Sequence, residues 1–577
     1  MAREAQSRRP FSGSAAAARG YSRRAGARVV DAFFGLERGT HRSVVVRDLA
    51  TPMPDGVNLM GDLYRPADVE GPLPVVLIRL PYGRNGPFKV LFGSLYARHG
   101  FQVFIQAIRG TFGSGGQFRP FTTEHEDGLA TVEWVRDQSW CDGRVAMAGA
   151  SYFGHTQWAV APYVDPPLEC VSPHITAARI GAAFYDNGVP QLQNALQWSA
   201  QVGRQEWMSF SVQMATTSAY VSRARRAMQR LPVQALDVAV AGAPVAFWRD
   251  FVAHAGPGDH FWSGSDHSGA DLSRMPPTSM VTGWWDPFVR EQLADYSALR
   301  AAGVPARLVV GPWLHGDRDE FTTMLRTDLA WLGSHLNGEP TPSGPPVRIN
   351  LQPTDTWLEL ETWPPPCAQS HFEYLGGSGS LAGLPPTDPV PPSRFTYDPA
   401  DPTPSVGGPI LTPPSKQQNN AALEGRGDVL VFTGEPLAAD LDVVGRVRAR
   451  IHLRAEHPYA DLLVRVCDVD ERQVSRNVVD GIRRLDPATV PAPDATIGPD
   501  GVLAVDLELF PTAYRFRAGH RLRVQVAGGA FPRYARNLGT GEPFGTGTAM
   551  RTNTVEILHD TQHPSHVELS VLAAPVR

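Results

Sequence analysis

The chain has 577 residues, 53 basic against 58 acidic side chains, a formal charge of −5, and 42% hydrophobic against 19% charged residues. At about 150 residues per domain that length implies two to four folded units, and so balanced a charge argues against a nucleic-acid partner. No apolar run approaches the roughly 20 residues that span a bilayer, so no membrane partner is expected either.

Glycine (55) and proline (52) are abundant enough to favour turns and β structure over a helical bundle. Cys141, Cys170, Cys367 and Cys467 lie far apart without a C-x-x-C pair. Neither a zinc site nor a disulfide framework follows from that spacing, and a reducing, cytoplasmic location fits it. Composition leaves the oligomeric state open, a homodimer included.

Residues 1–40 read as a basic, disordered tail. Ser7-Arg8-Arg9-Pro10-Phe11 resembles a twin-arginine export signal, but the apolar segment such a signal needs is missing: Ala15 to Ala18 is only four residues before Arg19 interrupts.

From about residue 40 the pattern becomes periodic. Residues 74–80, 102–108 and 144–148 are β-branched or small apolar runs that predict buried strands, and Leu129, Val132 and Val135 mark one face of a helix over 126–138. Strand, helix and strand in this order predict a parallel sheet with crossover helices, hence an α/β core over 41–166. Residues 167–274 turn to helical segments, clearest at 191–208 and 217–229, and read as an inserted helical cap. The strand and helix rhythm returns over 275–337, with strands at 279–283 and 306–310 around a helix over 287–302. A proline-rich linker at 338–347 precedes short alternating runs from 348 to 577, which predict an all-β sandwich. No internal repeat of fixed period is present.

The most informative motif is Gly149-Ala150-Ser151-Tyr152-Phe153-Gly154, between a strand and a helix. A serine there is forced onto a sharp turn that exposes its Oγ, the arrangement of a nucleophile elbow, although the glycine that normally ends that motif stands one position late. An α/β-hydrolase triad requires an acid and then a histidine further along, each after a strand. Asp286, in Gly283-Trp284-Trp285-Asp286-Pro287, and His315, in Gly311-Pro312-Trp313-Leu314-His315-Gly316, meet that order. Loops that follow parallel strands open on one edge of the sheet, so Ser151, Asp286 and His315 are expected to converge. Asp286 before Pro287 is also the pattern of a helix N-cap, and both roles are compatible.

In this reading His315 is the general base, Asp286 orients it, and the backbone N–H of Tyr152 is one oxyanion donor. Tyr82, in Leu80-Pro81-Tyr82-Gly83, reaches the same edge, where its phenol is either a second donor or a packing aromatic. Phe261, Trp262, Trp284 and Trp285 are candidates to line a pocket for an apolar or aryl acyl group, with core packing as the alternative. Glu126 and Asp127 read as helix-start carboxylates rather than an acid/base pair. No metal-ligand spacing and no phosphate-binding loop is found, so no metal or cofactor is expected.

Pro81-Tyr82, the elbow with Thr156-Gln157-Trp158, Gly283-Trp284-Trp285-Asp286 and Gly311-Pro312-Trp313-Leu314-His315-Gly316 together resemble the CocE/NonD hydrolases. That family unites cocaine esterase-like enzymes, α-amino acid ester hydrolases and X-Pro dipeptidyl-peptidases of the S15 type. The resemblance extends to Arg109-Gly110, Trp363-Pro364-Pro365, Phe432-Thr433-Gly434-Glu435-Pro436 and Phe531-Pro532-Arg533-Tyr534. It implies an α/β-hydrolase core, a helical cap and a C-terminal jelly-roll domain, and it implies that the Tyr82 hydroxyl belongs to the oxyanion hole. The chain departs from the family at Ala107, where an aspartate is common, and in lacking an acidic pair after Asp286. A desolvated ammonium must be paired, so this second departure favours small-molecule esters without an α-amino group, unless cap acids such as Asp186 or Asp250 substitute. The expected activity is that of a serine esterase that cleaves carboxylic esters, with activated amides as a further substrate class, through an acyl-Ser151 intermediate; an X-Pro dipeptidyl-peptidase or a non-catalytic binding protein of the same fold are the alternatives.

Overall fold

The computed structural model describes residues 30–203, 205, 210–255 and 259–573. Most of the arginine-rich tail, residues 1–29, therefore lies outside the described residues. Residues 30–40, read as part of that tail, instead pack on the core: Asp31 is buried in an ion pair with Arg98, and Phe34 joins an apolar cluster with Val76, Ile78 and Val103. Burial of the Phe34 ring favours docking of the segment, and the ion pair ensures that neither charge is buried alone.

The N-terminal strands are β1 (Ser43–Pro52), β2 (Asn58–Pro66), β3 (Leu73–Leu80) and β4 (Gln102–Ala107). They are followed by α1 (Glu124–Arg136), β5 (Cys141–Ala150), α2 (Tyr152–Trp158) and β6 (Val171–His174). Every position of β4 and all but the first of β3 are buried, as expected for strands covered by helices on both faces.

The chain then leaves the sheet for α3 (Leu192–Val202), α4 (Phe210–Met228), α5 (Leu236–Ala241) and α6 (Ala246–Ala253). The amphipathic faces of these helices cluster around Trp248, Leu196 and Phe251. It returns through β7 (Thr278–Trp285), α7 (Val289–Ala301), β8 (Ala306–Leu314) and α8 (Arg318–Leu336).

Two further strands, β9 (Val347–Asn350) and β10 (Trp357–Leu360), complete a ten-stranded sheet of order β1-β2-β4-β3-β5-β6-β7-β8-β9-β10. Residues 348–351, assigned from sequence to the β-sandwich, thus extend the core sheet: Val347 to Ile349 pair in parallel with Leu308 to Val310. A proline-rich stretch reads as a boundary, yet Arg307 donates to the carbonyls of Pro342, Ser343, Gly344 and Pro345 and holds it against the sheet.

From residue 368 onward the strands form two sheets. One centres on the long strand Leu441–Ala455, and the other has the order Val429–Thr433, Arg521–Ala527, Ala460–Val469, Ser475–Leu485. Val447 and Ile451 of the first meet Val464 and Val524 of the second in one apolar core. Among the described residues no helix is long and apolar enough to cross a membrane.

The sheet order has a functional consequence. After β3 the chain steps outward to β4 and then crosses back to β5 on the other side of β3, which opens a crevice at the C-terminal ends of β3 and β5. Tyr82 follows β3 and Ser151 follows β5, so the topology alone brings them together.

Helix α2, which carries the turn after Ser151, is anchored by a wholly buried His155 whose Nδ1 lies 3.0 Å from the Ala177 carbonyl. Its ring sits 5.4 Å from that of His267, which is bonded to the Tyr163 hydroxyl and faces His125 and Asp266. Burial lowers His155 to about 4, and burial with the neighbouring histidines lowers His267 to about 3. A histidine depressed in the fold is neutral there while the unfolded chain protonates near pH 6.5, so its contribution is complete above pH 6.5 and is lost as pH falls toward 4. For His155 that amounts to about 3 kcal/mol. Urea midpoints at pH 7 and pH 4.5 should therefore differ by less in His155→Gln than in the parent protein; an equal pH dependence would contradict the assignment.

Candidate active site

Ser151 has φ 57° and ψ −123°, a conformation that side-chain-bearing residues rarely adopt. It is held there by its N–H donating to the His174 carbonyl on β6 (2.9 Å) and by its own carbonyl accepting from Gly154 and His155 (3.0 Å each). Strain at one residue persists because the surrounding hydrogen bonds over-determine it.

The displaced glycine of the motif also has its reason. A Cβ on Gly149 would lie 2.1 Å from the Phe153 ring, and one on Gly154 would lie 2.9 Å from the His174 carbonyl. Phe153 fills the space beside Gly149, and the close approach of α2 to β6 falls one residue later, at Gly154.

Asp286 closes β7 and is wholly buried. Its Oδ2 lies 2.6 Å from His315 Nδ1, while Oδ1 accepts the Phe288 N–H (2.8 Å). One carboxylate therefore orients the imidazole and also closes the turn before α7; the helix itself starts at Val289 with Phe288 at its N-cap, so the N-cap role the sequence allowed for Asp286 is not the one it takes. His315 follows β8, leaves Nε2 unused by Asp286, and shares one cavity with Ser151.

The loop behind His315 is fixed by a residue the sequence reading missed. Glu320 is wholly buried and accepts the Gly316 N–H (2.7 Å). Burial first, and then the charge of Asp286, hold its carboxyl well above the usual range. In sequence it resembles any acidic residue of a helix first turn, so only its packing reveals it. Asp317 accepts the Leu314 N–H (3.0 Å) and pairs with Lys416 of the β domain (2.7 Å).

Tyr82 lines the same cavity, and its phenol is pushed up to about 12 by burial, against hydrogen bonds from Trp198 and Ser151 that lower it. Tyr152 opens α2, where a backbone N–H has no preceding helical carbonyl to donate to. Its side chain is immobilised: the hydroxyl donates to Glu124 and accepts the Phe121 N–H (3.0 Å), and the Phe121 ring stacks on it at 4.5 Å. Arg109, of the Arg-Gly pair, is held bidentately by Asp127 (2.9 and 2.6 Å), so Asp127 does more than begin α1.

Residues 55–317 match the family model of the X-Pro dipeptidyl-peptidase (S15 family), and residues 342–568 match that of the X-Pro dipeptidyl-peptidase C-terminal non-catalytic domain. The chain is 31% identical to the cocaine esterase of Rhodococcus sp. (strain MB1 Bresler), over 92% of this chain and 98% of that one. The chain belongs to the CocE/NonD family of serine hydrolases. Solved structures agree in fold. An α-amino acid ester hydrolase superposes with a TM-score of 0.74 at 22% identity, over 93% of this chain and 98% of its own. A CocE/NonD family hydrolase of Staphylococcus aureus superposes with 0.65 at 17%, over 92% and 94%.

In this CocE/NonD chain the cavity above Ser151 has a volume of about 670 Å³. Its walls come from the core loops, from the cap (Phe184, Gln197, Trp198, Gln201) and from Leu411 and Thr412 of the β domain. Four aromatics expected there do not line it. Trp284 and Trp285 lie on a strand buried on both faces, and the Trp284 indole donates to the Asn350 carbonyl (2.8 Å) and packs on Trp363. Phe261 stacks on His254, and Trp262 sits behind Phe184 at 5.2 Å, one layer back from the cavity.

The aromatic wall instead includes Phe88, Phe112, Phe121, Phe184, Trp198 and Phe288. Phe288 lies two residues past Asp286 and was within reach of motif reading; the cap residues were not. Asp186 is consumed by Arg290 (2.6 Å) and the Tyr534 hydroxyl (2.6 Å), and Asp250 lies beside Phe261, outside the cavity. Among the described residues no carboxylate lines the cavity, and its polar members outside the expected catalytic residues include the amides Asn85, Gln197 and Gln201. Among the same residues no three His, Cys, Asp or Glu side chains are grouped to hold a metal.

Proposed function

We propose that this serine esterase cleaves neutral carboxylic esters through an acyl intermediate on Ser151. The observation that carries the proposal is the Asp286–His315 hydrogen bond opening onto the cavity that also holds the strained Ser151. His315 Nε2 takes the Ser151 proton as Oγ bonds to the ester carbonyl carbon. The resulting imidazolium gives that proton to the departing alkoxide, and the acyl carbon to alcohol oxygen bond breaks. Water then repeats the sequence on the acyl-serine and releases the carboxylic acid. Asp286 keeps the Nδ1–H tautomer and stabilises the cation, and the oxyanion is held by the Tyr152 N–H and the Tyr82 hydroxyl.

Small neutral esters suit an amide-bearing, aromatic wall with no carboxylate among its described residues. The family also contains peptidases, but an X-Pro dipeptide needs a partner for its ammonium, and Asp186 is already paired. We read the chain as an α/β-hydrolase core that includes residues 30–40, β6 and the strands β9 and β10, a cap between β6 and β7, and a β domain from residue 368 onward. The cytoplasm fits four cysteines of which none is paired and three are buried.

Two experiments test this. 4-Nitrophenyl butyrate and benzoate should turn over while Gly-Pro-4-nitroanilide releases little or nothing; the reverse ranking would overturn the substrate assignment. Tyr82→Phe should lower kcat about 10²- to 10³-fold with a small change in KM; an unchanged kcat would remove the hydroxyl from the oxyanion hole.

A further inference from the structure

Helix α3 of the cap places Trp198 against Tyr82. The indole Nε1–H donates to the Tyr82 hydroxyl oxygen at 3.2 Å, and the indole is clamped by Phe121 (5.6 Å), Tyr152 (6.1 Å) and Phe247 (5.2 Å). A second cap side chain grips the same loop one residue earlier: Gln205 Nε2 donates to the Pro81 carbonyl at 2.7 Å. Both groups meet the loop that carries Tyr82, and neither is part of the core that carries Ser151, Asp286 and His315.

An indole N–H is a donor only, so it can occupy nothing but a lone pair of the phenol oxygen. With that lone pair taken, the single phenol hydrogen is directed away from Trp198. Tyr82 and Ser151 line the same cavity, so the space left open to that hydrogen is the one in which the ester oxygen meets the elbow. An N–H to O–H to oxyanion chain is also cooperative, since each bond polarises the next.

We propose that Trp198 is a positioning residue for the oxyanion hole: its indole N–H fixes the Tyr82 hydroxyl as a donor toward the reacting oxygen, so that the cap takes part in the chemistry as well as shaping the pocket. The proposal rests on the role given above to Tyr82. It distinguishes Trp198 from an aromatic that only forms a wall, because a wall changes substrate binding and is indifferent to whether the ring carries a nitrogen or another atom.

The test is a double-mutant cycle on 4-nitrophenyl butyrate. Trp198→Phe removes the donor and part of the ring. Trp198→3-benzothienylalanine, introduced by codon suppression, replaces only N–H by sulfur and keeps the shape, so it remains informative should the phenylalanine variant fold poorly. In the parent background the isostere should lower kcat about fivefold to tenfold with KM within about twofold and an unchanged melting temperature. In the Tyr82→Phe background it should cost nothing further, within about twofold, because the hydroxyl it positions is gone. A loss that persists undiminished in Tyr82→Phe, a loss that appears in KM alone, or an unchanged kcat would overturn the proposal. Should Tyr82→Phe alone leave kcat intact, the oxyanion role of Tyr82 falls and this inference with it. A normal Tyr82→Phe defect beside an inert isostere would overturn only the part given to Trp198.

Discussion

Ser151→Ala and His315→Ala should each lower kcat for a nitrophenyl ester by about 10⁶-fold, and the double variant should be no worse than either alone. The expectation follows from the geometry of a single proton path. The Ser151 hydroxyl is a poor nucleophile until its proton has somewhere to go, and the imidazole that faces the same cavity is the acceptor supplied by the fold. Removing either partner stops the same event, so the losses do not add. The residual rate should then come from the proposed oxyanion donors, the Tyr152 N–H and the Tyr82 hydroxyl, and from the cavity walls. Single-turnover kinetics at high enzyme concentration measure rates this low, and a His315→Ala loss of tenfold or less would show that another group takes the proton.

Asp286→Asn should lower kcat by about 10⁴-fold while leaving the melting temperature nearly unchanged. The substitution is almost isosteric, and the Phe288 N–H determines how the new amide lies. That N–H already selects an oxygen at the Oδ1 position (2.8 Å), so the amide nitrogen must occupy the Oδ2 position facing His315 Nδ1. A nitrogen that donates to Nδ1 forces the ring proton onto Nε2, the atom that has to accept the serine proton. The imidazole is then present, correctly placed and in the wrong tautomer. The pH profile of kcat/KM distinguishes this from a loss of structure, since the residual rate should rise with pH as hydroxide replaces the base. A loss below tenfold would mean that Asp286 serves the turn and not the chemistry.

The residues that were readable in the sequence share a local property. Tyr82, Ser151, Asp286 and His315 each stand at or just past the C-terminal end of a parallel strand, and such ends lie on one rim whatever the rest of the chain does. The elbow survived a misplaced glycine because the requirement is steric room beside Gly149 and at Gly154, not a fixed spelling.

What was misread depended on distant packing. Trp284 and Trp285 stand beside Asp286 in sequence, but side chains of a strand buried on both faces point into the two layers and not over the rim. Phe184 and Trp198 reach the cavity only because the cap folds back across it, and Leu411 and Thr412 arrive from more than two hundred residues further on. No periodicity encodes such contacts. Strand β9 was misassigned for a related reason: a short alternating run reads the same whether it joins the parallel sheet beside β8 or a separate sandwich, and the proline-rich stretch before it suggested a break that the Arg307 hydrogen bonds close.

The central claim is that one hydroxyl in the chain becomes covalently acylated. Incubating the native protein with a fluorophosphonate and mapping the adduct by peptide mass should find a single stoichiometric modification, on Ser151, that is absent from both the acid-unfolded protein and the Ser151→Ala variant. Full labelling at any other residue, or an unmodified Ser151 in protein that hydrolyses nitrophenyl esters, would contradict the account.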